Sequence, residues 1–404
     1  MSAFARLCAF WFVYMGSLGV FFPYYALYLG GRAGLSAFEV GAVLSMVPLV
    51  GLVAQPLWGQ LADRSGARGP ILALLAIGAG LAQAPIAGAS GFLELLLATA
   101  LLAVFHSTVM PMALSVSLAV LHGRGHAFGI ARATGTVGYL VLVVAFPWLL
   151  RALGGGAVEP GAVPASLDWM FPVVAALAIA SGLIALTLPR EGEVGVRAAP
   201  GALRELLRHR PMRRVMAYSF LVFFCLNGPI QLFPLFVRAL GGGLGDVSRM
   251  WVWMLLLEIP LIAWTGSLLA RLGARGMLGL GALAGGVRWF GSALADDLGV
   301  ATVLGLLHGV AVVGLAVGGP LYVEQTAPPA LRSTGQALLS TVGVGLGGIL
   351  SNLVCGVVFD AVGARPTYLA CGAGALTLAV LVTRLLPQPS RADAVGHGDG
   401  GSER

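Results

Sequence analysis

The sequence contains no lysine and little charge of either sign. All 24 basic residues are arginine, and charged residues make up 10% of the 404 positions, whereas a typical soluble domain has roughly 25%. The absence of lysine excludes a lysine nucleophile or a lysine Schiff base. Hydrophobic residues make up 58% of the chain and the mean hydropathy is +0.91, so the composition excludes an ordinary soluble protein.

Several catalytic signatures are also absent. The sequence has no G-x-x-x-x-G-K-[ST] phosphate loop, so we do not expect ATP hydrolysis to drive the protein. It has no pairing of a nucleophile with a base, and Cys8, Cys225, Cys355 and Cys371 lie in apolar runs without the spacing of metal ligands. We therefore expect no enzymatic activity, no metal and no cofactor, and we expect the cysteines to pack as small hydrophobic residues.

Twelve long apolar runs occupy most of the chain. A helix needs about 20 apolar residues to cross a hydrocarbon core of about 30 Å, and only helices or closed barrels satisfy backbone polar groups there. We therefore predict an all-α integral membrane protein with twelve transmembrane helices. The predicted spans are 7–29, 38–62, 70–89, 92–121, 127–152, 169–188, 213–239, 247–269, 276–294, 299–323, 334–359 and 366–387.

The arginines are divided unequally between the two sides of the predicted membrane. With both termini inside, 17 of them fall on the cytosolic side, and Arg32, Arg151, Arg238, Arg249 and Arg365 fall on the other side. This asymmetry agrees with the positive-inside rule. We therefore expect a multi-pass protein of the bacterial inner membrane with both termini in the cytosol, and we do not expect nucleic acid as a partner.

The two halves of the sequence repeat each other. The stretch 59–69 (GQLADRSGARG) is identical at seven of eleven positions to the stretch 266–276 (GSLLARLGARG). Phe-Pro followed by Leu-Gly-Gly also recurs, at 22–31 and at 233–242. The duplication predicts two six-helix bundles related by pseudo-two-fold symmetry, and repeats of this type place a substrate site near the midplane between the halves.

The domain boundaries follow from the polar breaks. We expect an N-terminal bundle at 1–188, a cytosolic linker at 189–212, a C-terminal bundle at 213–387 and a disordered cytosolic tail at 388–404. A short amphipathic helix is expected near the end of the linker, at Ala202–Arg208.

The first copy of the repeated loop resembles the loop 2–3 signature of the major facilitator superfamily, G-x-L-a-D-r-x-G-r-[KR]. In that superfamily the acid and the arginines of this loop are thought to latch neighbouring cytosolic helix ends. Ala270 stands where the second copy would carry its acid, so we expect the acidic latch only in the first half. The residues of the implied latch are Gly59, Asp63, Arg64, Gly66, Arg68, Arg271, Gly273 and Arg275.

A narrower resemblance covers nearly the whole chain. The segments 55–59 (QPLWG), 128–139 (FGIARATGTVGY) and 328–336 (PPALRSTGQ) are similar to the branch that contains lactose permease-like, nucleoside and phenylpropionate proton symporters. The phenylpropionate transporter-like group resembles the chain most. This resemblance implies the major facilitator fold and proton symport.

Arg132 lies within span 5, in the second of these segments. In lactose permease the matching arginine contacts the substrate, and the matching aromatic residue, here Tyr139, stacks on it. The acidic partner that sugar permeases carry in span 4 would align near Leu114 and is missing. Arg132 is therefore free to bind a carboxylate through two hydrogen bonds. The alternative is an arginine that snorkels to the cytosolic interface.

Glu258 is the one acid near the middle of a span, where a charge costs at least about 2.5–3.5 kcal/mol by insertion scales. Arg288 and His308 have the spacing of the arginine and histidine in the coupling cluster of lactose permease, whose acid and lysine align with Ala311 and Gly305. We hypothesise that Glu258 supplies the missing acid and carries the proton, while Arg288 and His308 tune or relay it. The alternatives are a static ion pair of Glu258 with Arg288 and a histidine that only packs.

Four further side chains could line a substrate cavity with hydrogen-bonding and stacking groups. They are Tyr24, Asn227, Gln231 and Trp289.

The sequence thus predicts a secondary transporter that works by alternating access, with a small molecule, protons and membrane lipid as partners. We expect a monomer. An organic or aromatic carboxylate is the first candidate substrate, because the predicted cavity contains two arginines and several aromatic residues. Nucleoside or oligosaccharide proton symport and proton-driven efflux of amphipathic compounds are the alternatives within transport. A transporter-like sensor is the alternative outside it.

Overall fold

The computed structural model of the chain describes residues 2–121, 125–153, 163–188 and 202–388. Every regular element in these ranges is helical, which confirms the predicted all-α class. The short helix expected within the linker is present at Ala202–Arg208, and span 7 begins at Arg210, inside the predicted linker. The first part of the predicted linker, 189–201, and the predicted disordered tail from 389 onward lie outside the described residues.

The first half contains six spans, numbered here in chain order. Span 1 ends in a π-helical turn, Tyr28–Arg32. The bounds of the spans are Ala3–Arg32, Ala37–Ser65, Arg68–Gly88, Phe92–Leu121, Gly125–Ala152 and Ala165–Leu186.

The second half contains spans 7 to 12, and several of them are interrupted. Span 7 consists of Arg210–Gln231 and Phe233–Ala239, span 8 of Leu244–Leu256 and 258–272, and span 10 of Leu298–Leu304 and Leu307–Thr326. Span 9 is 274–294, span 11 is Arg332–Val362 and span 12 is Ala364–Leu385. Among the described residues, nine helices are long and apolar enough to cross a membrane, or ten with the bent pair of span 7. Spans 8 and 9 bring the number to twelve.

Proline explains two of the interruptions. A proline has no backbone N–H and its ring collides with the carbonyl four residues earlier, so it breaks the preceding helical turn. Pro234 follows the 53° bend in span 7, and Pro260 follows the break at Leu257 in span 8. Discontinuous spans near the midplane are typical of the substrate sites of transporters.

Gly273 separates span 8 from span 9. The helix 258–294 contains one non-helical residue, Gly273, with φ 67° and ψ 172°. This backbone conformation is essentially restricted to glycine. The repeated loop in the first half uses Gly66 at the same place, but in the left-handed helical region, with φ 63° and ψ 4°.

The two ends of the helical bundle differ in how the halves meet. We call the end where span 1 begins and span 12 ends the terminal face, and the opposite end the far face. Hydrogen bonds that join the halves within the described ranges lie toward the far face: Ala37 and Phe38 N–H to Asp360, Arg238 to the Gly30 carbonyl, Ser45 to the Ile349 carbonyl and Ser248 to the Val143 carbonyl. The halves are therefore closed at the far face.

Candidate functional site

Two glycines of span 5 place Arg132 against span 1. A Cβ atom at Gly138 would lie 2.1 Å from the Phe12 carbonyl oxygen, and one at Gly135 would lie 2.8 Å from Met15 Cγ, so only glycine permits this approach. The close packing brings the Arg132 guanidinium to 5.2 Å from the centroid of the Trp11 ring. Arg132 is only partly buried, and its charge interacts with an acid of the other half.

Glu258 is the acid that faces Arg132, from the other half. It is the first residue of the helix that follows the break in span 8, and it interacts electrostatically with Arg132 and with Tyr139. The two charges do not form a direct ion pair, since the salt bridges within the described ranges involve other residues. The alternative interpretation, a static ion pair of Glu258 with Arg288, is not found among the described residues, and Glu258 instead interacts across the halves with Arg132.

Tyr139 and Trp251 pack against each other from opposite halves and bring two donors that are unpaired among the described residues. Their rings are 5.9 Å apart and inclined at 50°. Both side chains are buried, and within the described part of the chain neither the Tyr139 hydroxyl nor Trp251 Nε1 has a hydrogen-bond partner. A buried donor without a partner costs about 1–3 kcal/mol. The pair can therefore bind an acceptor oxygen of a ligand.

Arg288 and His308 are in direct contact, as their spacing predicts. Arg288 Nη1 lies 2.8 Å from His308 Nδ1, and Arg288 Nη2 lies 3.2 Å from Met254 Sδ. The guanidinium also stacks on Trp289, 3.9 Å from the ring centroid. The His308 ring packs edge-on against Trp251, with centroids 6.3 Å apart, so the pair lies next to the Tyr139–Trp251 site.

A cavity of about 510 Å³ extends from Arg288 and His308 toward the terminal face. It is formed by spans 7, 9, 10 and 11, and it reaches Pro320 and Gln336 near the terminal ends of spans 10 and 11. Of the predicted cavity residues, Asn227 and Trp289 line it. Span 11 is π-helical at Ser340–Gly347, beside this cavity, and such distortions are frequent at functional sites.

The other two predicted cavity residues lie elsewhere. Tyr24 is fully buried, and its hydroxyl donates to the Val143 carbonyl of span 5 at 3.0 Å, so in this conformation it packs two spans together. Gln231 ends the first helix of span 7, at the bend, and does not line this cavity. Trp251 and Gln336 are polar residues of the site that the sequence did not single out.

The predicted latch residues make contacts within their own halves. Asp63 forms a salt bridge of 2.8 Å with Arg68 inside the first loop. Arg275 donates to Gln388 Oε1 at 3.1 Å, beyond the end of span 12. Arg64 and Arg271 are exposed. The latch therefore does not join the halves in this conformation, which agrees with their closure at the far face.

Comparison with known proteins gives consistent matches. Residues 4–370 match the profile of the MFS_1 like family. The chain is 30% identical over 359 residues to the maltose permease of Geobacillus stearothermophilus, covering 87% of this chain and 86% of that protein. It is 26% identical over 373 residues to the putative nucleoside transporter YegT of Escherichia coli, covering 87% of this chain and 82% of that protein.

Solved structures agree with this fold. The nucleoside transporter NupG superimposes with a TM-score of 0.82 at 16% identity, covering 95% of this chain and 99% of that chain. A D-xylose-proton symporter superimposes with a TM-score of 0.68 at 17% identity, covering 95% and 97%. At these identities the likeness bears on the fold alone.

Proposed function

The chain belongs to the major facilitator superfamily, whose members are membrane transporters, and we propose that it couples protons to the movement of a neutral, polyhydroxylated solute such as a saccharide or a nucleoside. One observation carries the proposal: Arg132 and Glu258 interact electrostatically across the halves without a direct ion pair, and Tyr139 and Trp251 have donors that are unpaired among the described residues. The likeness to a maltose permease and to a putative nucleoside transporter supports the same solute class.

The charges of this site favour a neutral solute. The sequence interpretation took Arg132 to be free for a carboxylate, but Glu258 now faces it. A carboxylate bound at Arg132 would bring a second negative charge close to Glu258, and like charges repel. A hydroxyl group accepts from the guanidinium and donates to the carboxylate, and a sugar or base can pack on the rings of Tyr139 and Trp251.

Glu258 remains the proposed proton carrier, with Arg132 in place of Arg288 as its countercharge. A carboxylate inside a membrane protein is costly unless it is paired or protonated. Protonation of Glu258 would remove its attraction to Arg132, and a solute that bridges the two residues would change the same balance. Solute and proton would therefore act on one contact between the halves, which is the requirement for coupled transport.

We propose the expected orientation for the chain. The excess of arginine on the terminal face supports a cytosolic location for both termini, in a bacterial inner membrane. The cavity then opens to the cytosol, and the latch around Asp63 would close that side in the opposite conformation. A monomer contains the whole proposed site, because each half contributes to it.

Replacement of Glu258 by glutamine tests the proton carrier. We expect Glu258→Gln to lose proton-driven accumulation of its solute in proteoliposomes, and to keep solute exchange without a proton gradient. Maltose, uridine and benzoate are the solutes to compare. Glu94→Gln is the matched control, because Glu94 accepts from Ser90 at the far face and should leave both activities unchanged. Accumulation by Glu258→Gln that still follows the proton gradient would rule out the carrier role.

An organic carboxylate is the second candidate solute. It is favoured by Arg288, which is buried and has no described carboxylate within ion-pair distance. Exchange of benzoate, without exchange of maltose or uridine, would support this candidate over the neutral one.

A further inference from the structure

Arg288 is a spanning arginine that has no acid within ion-pair distance among the described residues. Its side chain is 2% exposed, and its contacts are His308 Nδ1, Met254 Sδ and the rings of Trp289 and Phe233. No salt bridge in the described ranges includes it. Charged side chains are almost never fully buried unless they are paired, so the contacts of Arg288 leave its charge without a counterion.

Arg132, another arginine within a span, has a different environment. Arg132 also stacks on a tryptophan, at 5.2 Å from the Trp11 centroid, but it is less buried and interacts with Glu258. The more deeply buried of the two arginines is therefore the one that lacks an acid. Aromatic faces attract a cation, but they carry no net charge and do not neutralise it.

His308 accepts one donor of the guanidinium and has a donor of its own. Because Arg288 donates to Nδ1 of His308 at 2.8 Å, this nitrogen accepts, and the neutral ring carries its proton on Nε2. The pair thus combines one full positive charge with donors from both side chains. Charged donors of this kind form their strongest hydrogen bonds with anions.

Space for a ligand is present beside the pair. Arg288, His308 and Trp289 line the end of the 510 Å³ cavity that lies farthest from the terminal face. Ligand pockets of about 300–1,000 Å³ are usual for small molecules, with mostly apolar walls and a few polar groups. This cavity has that character, since most of its lining is aliphatic or aromatic and its charge is concentrated at Arg288.

We propose that Arg288 and His308 form a binding site for a monovalent anion, which is either a free halide or the carboxylate of a small organic acid. The anion accepts from the guanidinium and supplies the missing negative charge, while an organic acid would place its apolar part along the cavity. The site is distinct from Arg132 and Glu258, and the inference does not depend on proton coupling or on a neutral solute.

Thermal unfolding of the purified protein in detergent tests the site. Sodium sulfate is replaced stepwise by sodium chloride, bromide, acetate or benzoate at constant ionic strength. A ligand that binds only the folded protein raises its unfolding temperature in a saturable way. We expect such a rise in the unaltered protein, and an apparent affinity about tenfold or more lower in Arg288→Gln, because hydrogen bonds to a charged group are lost. Arg151→Gln, the matched control, should keep the rise, because Arg151 also stacks on a tryptophan, 5.3 Å from the Trp148 centroid, but is exposed and lies outside both sites.

The outcomes decide both the site and the source of the anion. A response to chloride and bromide assigns the site to a free halide, and a response to acetate or benzoate alone assigns it to a carboxylate. Equal responses in the unaltered protein and in Arg288→Gln, or no saturable response to any of the four anions, would overturn the proposal. Either result leaves the transport test with Glu258→Gln unaffected.

A second measurement does not depend on whether Arg288→Gln folds. Iodide bound at Arg288 would lie against the Trp289 ring, which is 3.9 Å from the guanidinium carbon, and would quench its fluorescence. We expect a saturable component of iodide quenching in the unaltered protein that is missing in Trp289→Phe. Quenching that only increases linearly with iodide in the unaltered protein contradicts a halide at the site, and a carboxylate site then requires that benzoate reduce the Trp289 quenching in a saturable way.

Discussion

Trp251 brings an indole N–H into the space between the halves, where it has no partner among the described residues. Its ring is held from several sides, by Phe22 at 6.0 Å, Tyr139 at 5.9 Å and His308 at 6.3 Å between centroids. A ring fixed in this way loses little further freedom when a ligand binds, so its donor is already oriented. We therefore assign to Trp251 a part in recognising an oxygen of the solute.

Replacement of Trp251 by phenylalanine should weaken solute binding and leave the fold intact. Phenylalanine keeps an aromatic ring but removes the donor, and one neutral hydrogen bond contributes about 0.5–1.5 kcal/mol. We expect the dissociation constant of a transported solute to rise roughly 2- to 13-fold, as measured by equilibrium binding to purified protein. Trp148→Phe is the control, because Trp148 is 67% exposed and lies outside the site; an equal loss in both variants would contradict the assignment.

The sequence pointed to individual side chains of the candidate site better than to their neighbours. Arg132 and Tyr139 were found through a segment typical of the family, and Arg288 and His308 through their spacing. The partner of Arg132 could not be predicted, because Glu258 meets it from the opposite half and no local pattern encodes that contact. Trp251 carried a weak signal: it precedes Glu258 by seven residues, which is two helical turns and hence one helix face.

At the level of whole elements, the spans were predictable because each needs a long apolar run. The predicted limits of span 8, 247–269, lie close to the observed 244–272, and those of span 4 agree with Phe92–Leu121. The breaks were not predicted, although Pro260 was a visible signal for one of them. Composition fixes where a helix can cross the membrane, whereas packing against neighbouring spans decides whether it stays continuous.

The two repeated loops should respond differently to the same substitution. Gly66 has φ 63° and ψ 4°, which asparagine adopts more readily than most residues. Gly273 has φ 67° and ψ 172°, where a side chain costs about 1–3 kcal/mol. We therefore expect Gly66→Asn to leave the unfolding temperature nearly unchanged and Gly273→Asn to lower it clearly.

Gly266→Asn separates backbone strain from crowding in that experiment. Gly266 lies in the same helix as Gly273 with ordinary helical geometry, and neither position has an atom within 4 Å of an added Cβ. Thermal unfolding of the three variants in detergent measures the differences. A loss at Gly266 as large as that at Gly273 would show that the backbone conformation is not the cause.

At the scale of the whole molecule, Asp360 helps to hold the far face closed. Its two carboxylate oxygens accept the backbone N–H groups of Ala37 and Phe38, each at 2.8 Å, so span 11 caps the first turn of span 2 across the halves. A Cβ atom at Gly356, one turn earlier, would lie 2.6 Å from Phe38 Cα. The cap therefore needs the close approach of the two spans and is lost when the far face opens.

Removal of this cap should shift the population toward the conformation that is open at the far face. Loss of a helix cap costs about 0.5–2 kcal/mol, which corresponds to a change of roughly 2- to 30-fold in the ratio of the two conformations. Only the conformation that is closed at the far face loses this cap, so Asp360→Ala favours the opposite conformation. In that conformation the halves approach each other at the terminal face, and we therefore expect shorter distances between them there. Spin labels at Ser65→Cys and Leu272→Cys, two exposed positions of the repeated loops, measure this distance once the four native cysteines are replaced by alanine.

Asp246→Ala is the matched control for this distance measurement. Asp246 also lies at the far face and accepts a helix-start N–H, that of Gly243, at 2.9 Å, but both residues belong to the same half. Its loss should lower stability without changing the balance between conformations, because the cap is retained whichever face is open. If Asp360→Ala and Asp246→Ala give the same distance distribution as the unaltered protein, the contact of Asp360 with span 2 does not control the far face. If only Asp360→Ala shortens the distance, a carboxylate at a helix start sets which side of the membrane the cavity faces.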